Sequence, residues 1–378
     1  MGKHESVKNL TGGGTAPAKV RDSNVELFRI ITMLLIVGHH YVVNSGLTAV
    51  DGPIYADPMS WRSLFLLIFG AWGKTGINCF VFITGYFMCT SDITLRKFVK
   101  LLGEVMFYRI VIWCIFWLTG YEHFSASQLI SALIPIKTIK TGFTPAFLAF
   151  YLSIPFLNIL IRSMSEKQHA RLLMLCGFVY VFLGTVPVLF EVRMNYFSWF
   201  IVVYFIASYI RLYPKPVYEK RRTCLIAFVL VLAVCIVSIV GCAWICSRYN
   251  KHNAYLFMTD SNTFLAVAMS VAAFLLFRNL SIGHSKLINT IAGSTFGVLL
   301  IHAHSDAMRR WLWKDMLDNV GHYSASWMPL HAIGSVLLIF CVCILIDQIR
   351  IRWIERPFLR WWDEHEEKIC KRLRLSTR

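Results

Sequence analysis

Between residues 25 and 353 the chain is a succession of apolar runs, each close to the length a helix needs to cross a bilayer. A hydrocarbon core of about 30 Å takes about 20 apolar residues at helical rise. By that ruler about ten runs emerge, near 25–44, 63–88, 97–119, 143–162, 170–190, 196–212, 223–246, 262–278, 287–304 and 330–353. They are continuous rather than alternating, so they read as helices and not strands. Composition agrees, with 57% hydrophobic and 16% charged residues among 378, where a soluble domain carries about 25% charge. The expected fold class is all-α: a polytopic membrane helical bundle of about ten transmembrane helices.

The net charge of +17 would suggest nucleic acid in a soluble protein. Here the basic residues sit in short segments between apolar runs, the pattern that sets membrane topology, so no nucleic-acid partner is expected. An even number of spans puts both termini on one side. Loops on that side hold about 27 of the 38 Lys and Arg, an asymmetry that predicts cytoplasmic termini in a multi-pass protein of the cell (plasma) membrane. YPKPVYEKRR (213–222) and KICKRLRLSTR (368–378) dominate it. Three regions follow: a disordered cytoplasmic tail at 1–23, a membrane domain at 24–360 and a basic cytoplasmic tail at 361–378. The first apolar run is too long for a signal-peptide core and lacks a small-residue cleavage site, so it reads as a retained helix. The 11 cysteines lie mostly inside apolar runs, where they read as small buried hydrophobes. No tight Cys/His spacing points to a metal, and no metal is expected.

Within the first run, NVELFRIITMLLIVGHHYVV (24–43), lipid penalises three side chains: Arg29, His39 and His40. Arg29 and His40 are 11 positions apart, which at helical pitch leaves about 20° after three turns and about 16 Å along the axis. They share a face, and His39 lies roughly 80° away from it. An intramembrane ionisable pair on one stripe is a functional-site hypothesis. The competing account has Arg29 snorkelling to headgroups and the histidines at the outer interface. Lys74, in GAWGKTGIN (70–78), faces the bundle interior on the same reasoning, either free to attract an anion or paired with Glu104 or Glu26. Gly70, Gly73 and Gly76 permit close helix approach around it. His302 and His304 cannot chelate from one helix at i, i+2; His304 reads as interfacial.

ELFRIITMLLIVGHH resembles the opening of the membrane acyltransferases of the acyltransferase-3 family, whose hallmark is a basic residue, ten residues and a His: here Arg29 to His40. KTGINCFVFITGYFM (74–88) looks like the family's second-span pattern, and FYLSIPFLNILI (150–161) is similar to its middle span. STFGVLLIHAH (294–304) resembles its late Leu-Ile-His stretch, and WIERPF (353–358) its Glu-Arg-Pro ending. The family's Arg-x-Arg pair is missing, with Arg96, Lys97 and Lys100 in its place.

The resemblance implies an O-acyltransferase that moves an acyl group, usually acetyl, from cytoplasmic acyl-CoA to a hydroxyl of a cell-surface glycan or lipid-linked sugar. Histidine suits that task, because a hydroxyl needs a base near neutral pH. His40 is expected to act as that base or to carry the acyl group itself. Arg29 is expected to assist it by holding CoA phosphates or steadying the thioester carbonyl. Lys74, Arg96, Lys97 and Lys100 are expected to hold acetyl-CoA together with Arg29, and His39, Asn78 and His302 to line the substrate pocket. Glu355 and Arg356 close the last span, as a cap with a snorkelling arginine or as part of the donor site. The rival reading is a transporter or exporter of a glycan or lipid, without chemistry. Against it, the sequence shows no paired broken helices and no inverted repeat.

Overall fold

A computed structural model of the chain describes residues 22–136, 142–186 and 195–373, with side chains to residue 369 at the C-terminal end. The tail expected at 1–23 lies almost wholly outside the described residues, as do the last five residues. Among the described residues all regular structure is helical. Short turns aside, the elements are α1 Ser23–Val43, α2 Trp61–Gly70, α3 Gly73–Met88, α4 Leu95–Leu118, α5 Ala126–Leu133, α6 Phe143–Ser163, α7 Glu166–Cys176, α8 Tyr196–Leu212, α9 Arg221–Tyr249, α10 Phe264–Arg278, α11 Lys286–Gly293, α12 Thr295–His302, α13 Asp306–Arg310, α14 Met328–Arg350 and α15 Arg356–Leu373.

Six helices among the described residues are long and apolar enough to cross a membrane, or seven if a bent pair is one span. The shorter apolar helices α8 and α10 add to these. The multi-pass helical class therefore stands, while the number of crossings is left between these limits and the expected ten. The runs expected at 196–212 and 262–278 form the short helices α8 and α10, and the run at 170–190 contributes no candidate span. Its first half is α7, EKQHARLLMLC, too polar to count as a span by itself, and residues 187–190 are not described.

Helix boundaries follow local chemistry. Asp22, Ser60, Thr94, Asn195, Ser285 and Ser305 each accept a backbone N–H of the helix that follows, satisfying a donor the helix itself leaves orphaned. Pro155 lies inside α6 and removes one backbone donor there, which a membrane helix tolerates when neighbours take up the freed carbonyl. On the same helix Asn158 donates to the carbonyls of Met88 and Ser91 at 3.1 and 3.2 Å and accepts from Tyr204. The C-terminal end of α3 is thereby pinned to α6 and α8.

The hub is α1, which packs against α2, α3, α10, α11, α12 and α14. Small residues make the approach possible. A Cβ on Gly70 would lie 2.7 Å from Val42, and one on Gly76 2.7 Å from Ile36. At the opposite extreme, α9 presents most of its apolar surface outward, as expected of a helix facing lipid. One end of the bundle is fixed by Ser23 on Asn289 at 3.1 Å and Asn24 accepting from Ile282 N at 2.8 Å. The other is fixed by Tyr41, whose hydroxyl meets His331 Nδ1 at 2.8 Å and whose carbonyl accepts from Asn319 at 2.9 Å. The first of these, the terminus end, holds the start of α1 and the C-terminal end of α14, where Gln348 donates to the Thr290 carbonyl at 3.3 Å.

The ninth apolar run is followed by a sharp bend. Lys286–His302 and Asp306–Met316 meet at 93°. Hydropathy sees only that 287–304 is apolar; the turn is made by Ser305, which caps α13 and starts a helix in a new direction.

Candidate active site

The break after α12 opens a polar space at the end of the bundle away from the termini. His302 is the last residue of α12 and is 1% exposed. Its Nε2 lies 2.9 Å from His40 Nδ1, and its own Nδ1 lies 2.6 Å from the Val298 carbonyl. These contacts fix the proton positions of the neutral rings. A carbonyl only accepts, so Nδ1 of His302 carries a proton. Nε2 of His302 then offers a lone pair, and Nδ1 of His40 donates to it. The remaining nitrogen of His40, Nε2, is left with a lone pair. A backbone carbonyl thus orients His302, His302 orients His40, and His40 keeps a basic nitrogen in a ring that lines two cavities.

His39 is held separately. Its Nδ1 donates to the Gly70 carbonyl at 2.6 Å. Gly73 is what lets its ring lie against α3, because any Cβ there would overlap the imidazole. Gly73→Val should therefore displace His39 and separate α1 from α3. A loss of about 1–3 kcal/mol of stability is expected, read as a lower unfolding midpoint of the purified protein, with Gly241→Val, where a Cβ meets nothing within 4 Å, as the unaffected control.

The larger cavity, about 690 Å³, is lined by His39, His40, Lys74, Tyr108, Arg109, Tyr196, His304, Asp306 and Arg309, among others. A second space of about 460 Å³ shares His39, His40, Lys74 and Arg309 and adds Tyr55, His252 and Asn253. Behind the histidines lies a third cavity of about 820 Å³, apolar, lined by His302 with Ile112, Ile301, Trp311, Leu312 and Ile339. The His40–His302 pair forms part of the wall between polar and apolar space.

The residues marked in the sequence fall into three groups. His39, His40 and Lys74 line the polar cavities, while His302, expected in the substrate pocket, lies behind His40 on the wall of the apolar cavity. Lys74 pairs with Asp260 at 3.2 Å, neither with Glu104 nor with Glu26. Arg29, Arg96, Lys97 and Lys100 lie at the terminus end instead. There Arg29 meets Glu26 at 3.2 Å, Arg96 meets Asp363 at 2.6 Å, Lys97 donates to the Asp92 carbonyl at 2.8 Å, and Lys100 meets Glu355 at 2.8 Å. A single donor opening lined by Arg29, Lys74 and the 96–100 cluster is therefore not what the fold builds. Asn78 stands apart from both groups. It is 1% exposed, donating to the Ser261 carbonyl at 2.7 Å and accepting from Trp199 Nε1 at 2.8 Å. Those bonds occupy both ends of its amide, so Asn78 ties α3 to α8 and to the segment before α10 rather than lining the pocket.

Three basic residues of the larger cavity carry no site role in the sequence reading: Arg109, His304 and Arg309. Arg109 was legible as a charge inside an apolar run. His304, taken as interfacial, turns into the cavity because the chain bends just after His302. Nothing in the sequence marks Arg309, since its position depends on that bend. Among the described residues no group of three or more His, Cys, Asp or Glu is placed to hold a metal ion.

A histidine with an oriented ring and an available lone pair can serve as a base or as a nucleophile. The family model of the acyltransferase domain matches residues 22–348, nearly the whole chain, and the chain belongs to that family. It is a membrane acyltransferase, a transferase of groups other than amino-acyl groups. Comparison with curated proteins and with solved structures gave no match. The transporter reading gives way to the family assignment.

Proposed function

We propose that this protein transfers an acetyl group from acetyl-CoA, bound from the cytoplasmic side where both termini lie, to a hydroxyl of a cell-surface or secreted glycan or its lipid-linked precursor. The observation that carries the reading is the chain of contacts from Val298 through His302 to His40 at the wall of a polar cavity. The acceptor hydroxyl oxygen attacks the thioester carbonyl carbon, and the C–S bond breaks. The hydroxyl proton passes to Nε2 of His40 and from there to the departing thiolate. The same nitrogen would be the nucleophile of a two-step route through an acyl-imidazole; a trapped acetyl-histidine separates the two routes.

Arg29 lies about 16 Å down α1 from His40, too far for its guanidinium to touch a carbonyl held at the imidazole. We assign it to the donor's phosphates, at a separation that the pantetheine arm of CoA covers. Arg96, Lys97 and Lys100 are at the same end and extend that surface. Lys74 and Arg309 line both histidine cavities, where a cation stabilises the negative charge that develops on the carbonyl oxygen.

Membranes containing the protein, given radiolabelled acetyl-CoA and polysaccharide, should produce labelled polysaccharide and free CoA thiol in equal amounts. If acetyl-CoA neither binds the purified protein nor loses its acetyl group with any acceptor tried, the acetyl-CoA assignment fails.

A further inference from the structure

The charges around the larger polar cavity are unevenly matched. Its charged lining is Lys74, Arg109, Arg309 and Asp306. Lys74 has Asp260 at 3.2 Å and Arg309 has Asp306 at 2.7 Å. Arg109 differs. Its Nε and Nη2 donate to the carbonyls of Ala132 and Ser131 at the end of α5, and among the described residues no carboxylate lies within ion-pair distance. Carbonyl oxygens satisfy N–H groups without neutralising the charge. A cation inside a membrane span is costly unless something pairs with it. The two carbonyls also fix the plane of the guanidinium while leaving Nη1 outside these bonds. A fixed guanidinium in a cavity is the usual receptor for a carboxylate or phosphate.

We infer that Arg109 binds an anionic group of the acceptor, a carboxylate or a phosphate, so that the acylated glycan is an acidic one. The inference rests on the proposed acyl transfer at His40, with the acceptor seated in this cavity beside it. The donor also carries phosphates, but in that proposal they lie at the terminus end with Arg29. Arg109 is a binding and positioning residue here, holding the acceptor while His40 acts on its hydroxyl.

The test uses the full-length protein in nanodiscs without any CoA. Equilibrium binding is measured for three tetrasaccharides: a neutral glucosyl chain, the same chain with one glucuronate, and the same chain with one sugar phosphate. At least one acidic chain should bind about tenfold more tightly than the neutral one, a difference of the size a charged hydrogen bond supplies. Arg109→Gln should abolish that preference while leaving neutral-chain binding within about twofold. Arg109→Lys, which keeps the charge, should retain part of it and controls for loss of the α5 contacts. If all three chains bind the wild type within about twofold of one another, the inference is overturned whether or not the variants fold. A preference that survives Arg109→Gln overturns it as well. Acidic chains that bind selectively but accept no acetyl group would uphold the site and count against the acyl-transfer reading. Equal transfer to neutral and acidic chains would do the reverse.

Discussion

His40→Ala should reduce acetyl transfer by about a hundredfold to ten-thousandfold, the range a positioned acid–base group contributes, at an unchanged level of membrane-inserted protein. His40 lies at the edge of the cavity, with its ring donating to only one side chain, so its removal leaves the packing of α1 largely intact. His302→Ala should lower kcat by less, because its part is to hold the tautomer and orientation of His40. A more conservative His302→Gln should recover some of the loss, since its side-chain oxygen can still accept from His40 Nδ1. His39→Ala removes a bond to the Gly70 carbonyl and should mainly affect stability. The measurement is initial-rate transfer from labelled acetyl-CoA in membranes matched by immunoblot. Equal loss in His39→Ala and His40→Ala would mean that the two act through folding or share one role, and the unfolding midpoint of the purified variants separates these. Full activity of His40→Ala would remove the base from the mechanism proposed above.

That ranking of the histidines was only partly legible in the sequence. Helical pitch singles out His40 from His39 by its alignment with Arg29, and in the fold it is His40 that meets His302. The alignment itself does not bring Arg29 to the chemistry, because the 16 Å between them is rise along one helix and nothing folds it back. The pairing of His40 with His302 spans 262 positions. Periodicity says which face of a helix is polar but not which other helix that face meets. Lys74 shows the same limit: its charge inside an apolar run demanded a partner, and the fold supplied Asp260 from a loop instead of Glu104 or Glu26 from helices. Helix positions were legible where apolar length, a local property, marks them: 97–119 differs from α4 by two residues at its start and one at its end, and 196–212 coincides with α8, although α8 is shorter than a full span. The bend after His302 was missed because it depends on a cap at Ser305, a signal that a run of hydropathy does not carry.

Arg350→Leu should be the most destabilising single substitution in the terminus half of the bundle. Arg350 is 4% exposed, and it is bound to Asp347 at 2.8 Å, Glu355 at 2.8 Å and Glu104 at 3.3 Å. Of these three carboxylates, only Glu355 has a second cation, Lys100 at 2.8 Å. Removing the guanidinium leaves Asp347 and Glu104 without a positive partner in a dry interior, and breaking such a pair from one side costs about 3–5 kcal/mol. The site would feel the change. Asp347 accepts from the hydroxyl of Tyr108 at 2.8 Å, Tyr108 lines the cavity that holds His40, and Gly297 leaves room for Asp347 where any Cβ would strike its carboxylate. Arg350→Leu is thus expected to lower both the unfolding midpoint and the activity, whereas surface Arg360→Leu should change neither by much. Because the loss is attributed to uncompensated charge, a second substitution should relieve it. Glu104→Leu added to Arg350→Leu should recover part of the midpoint, although Glu104→Leu alone gains nothing. A double variant no more stable than Arg350→Leu would mean that the arginine's packing, and not its charge, holds α4 to α14.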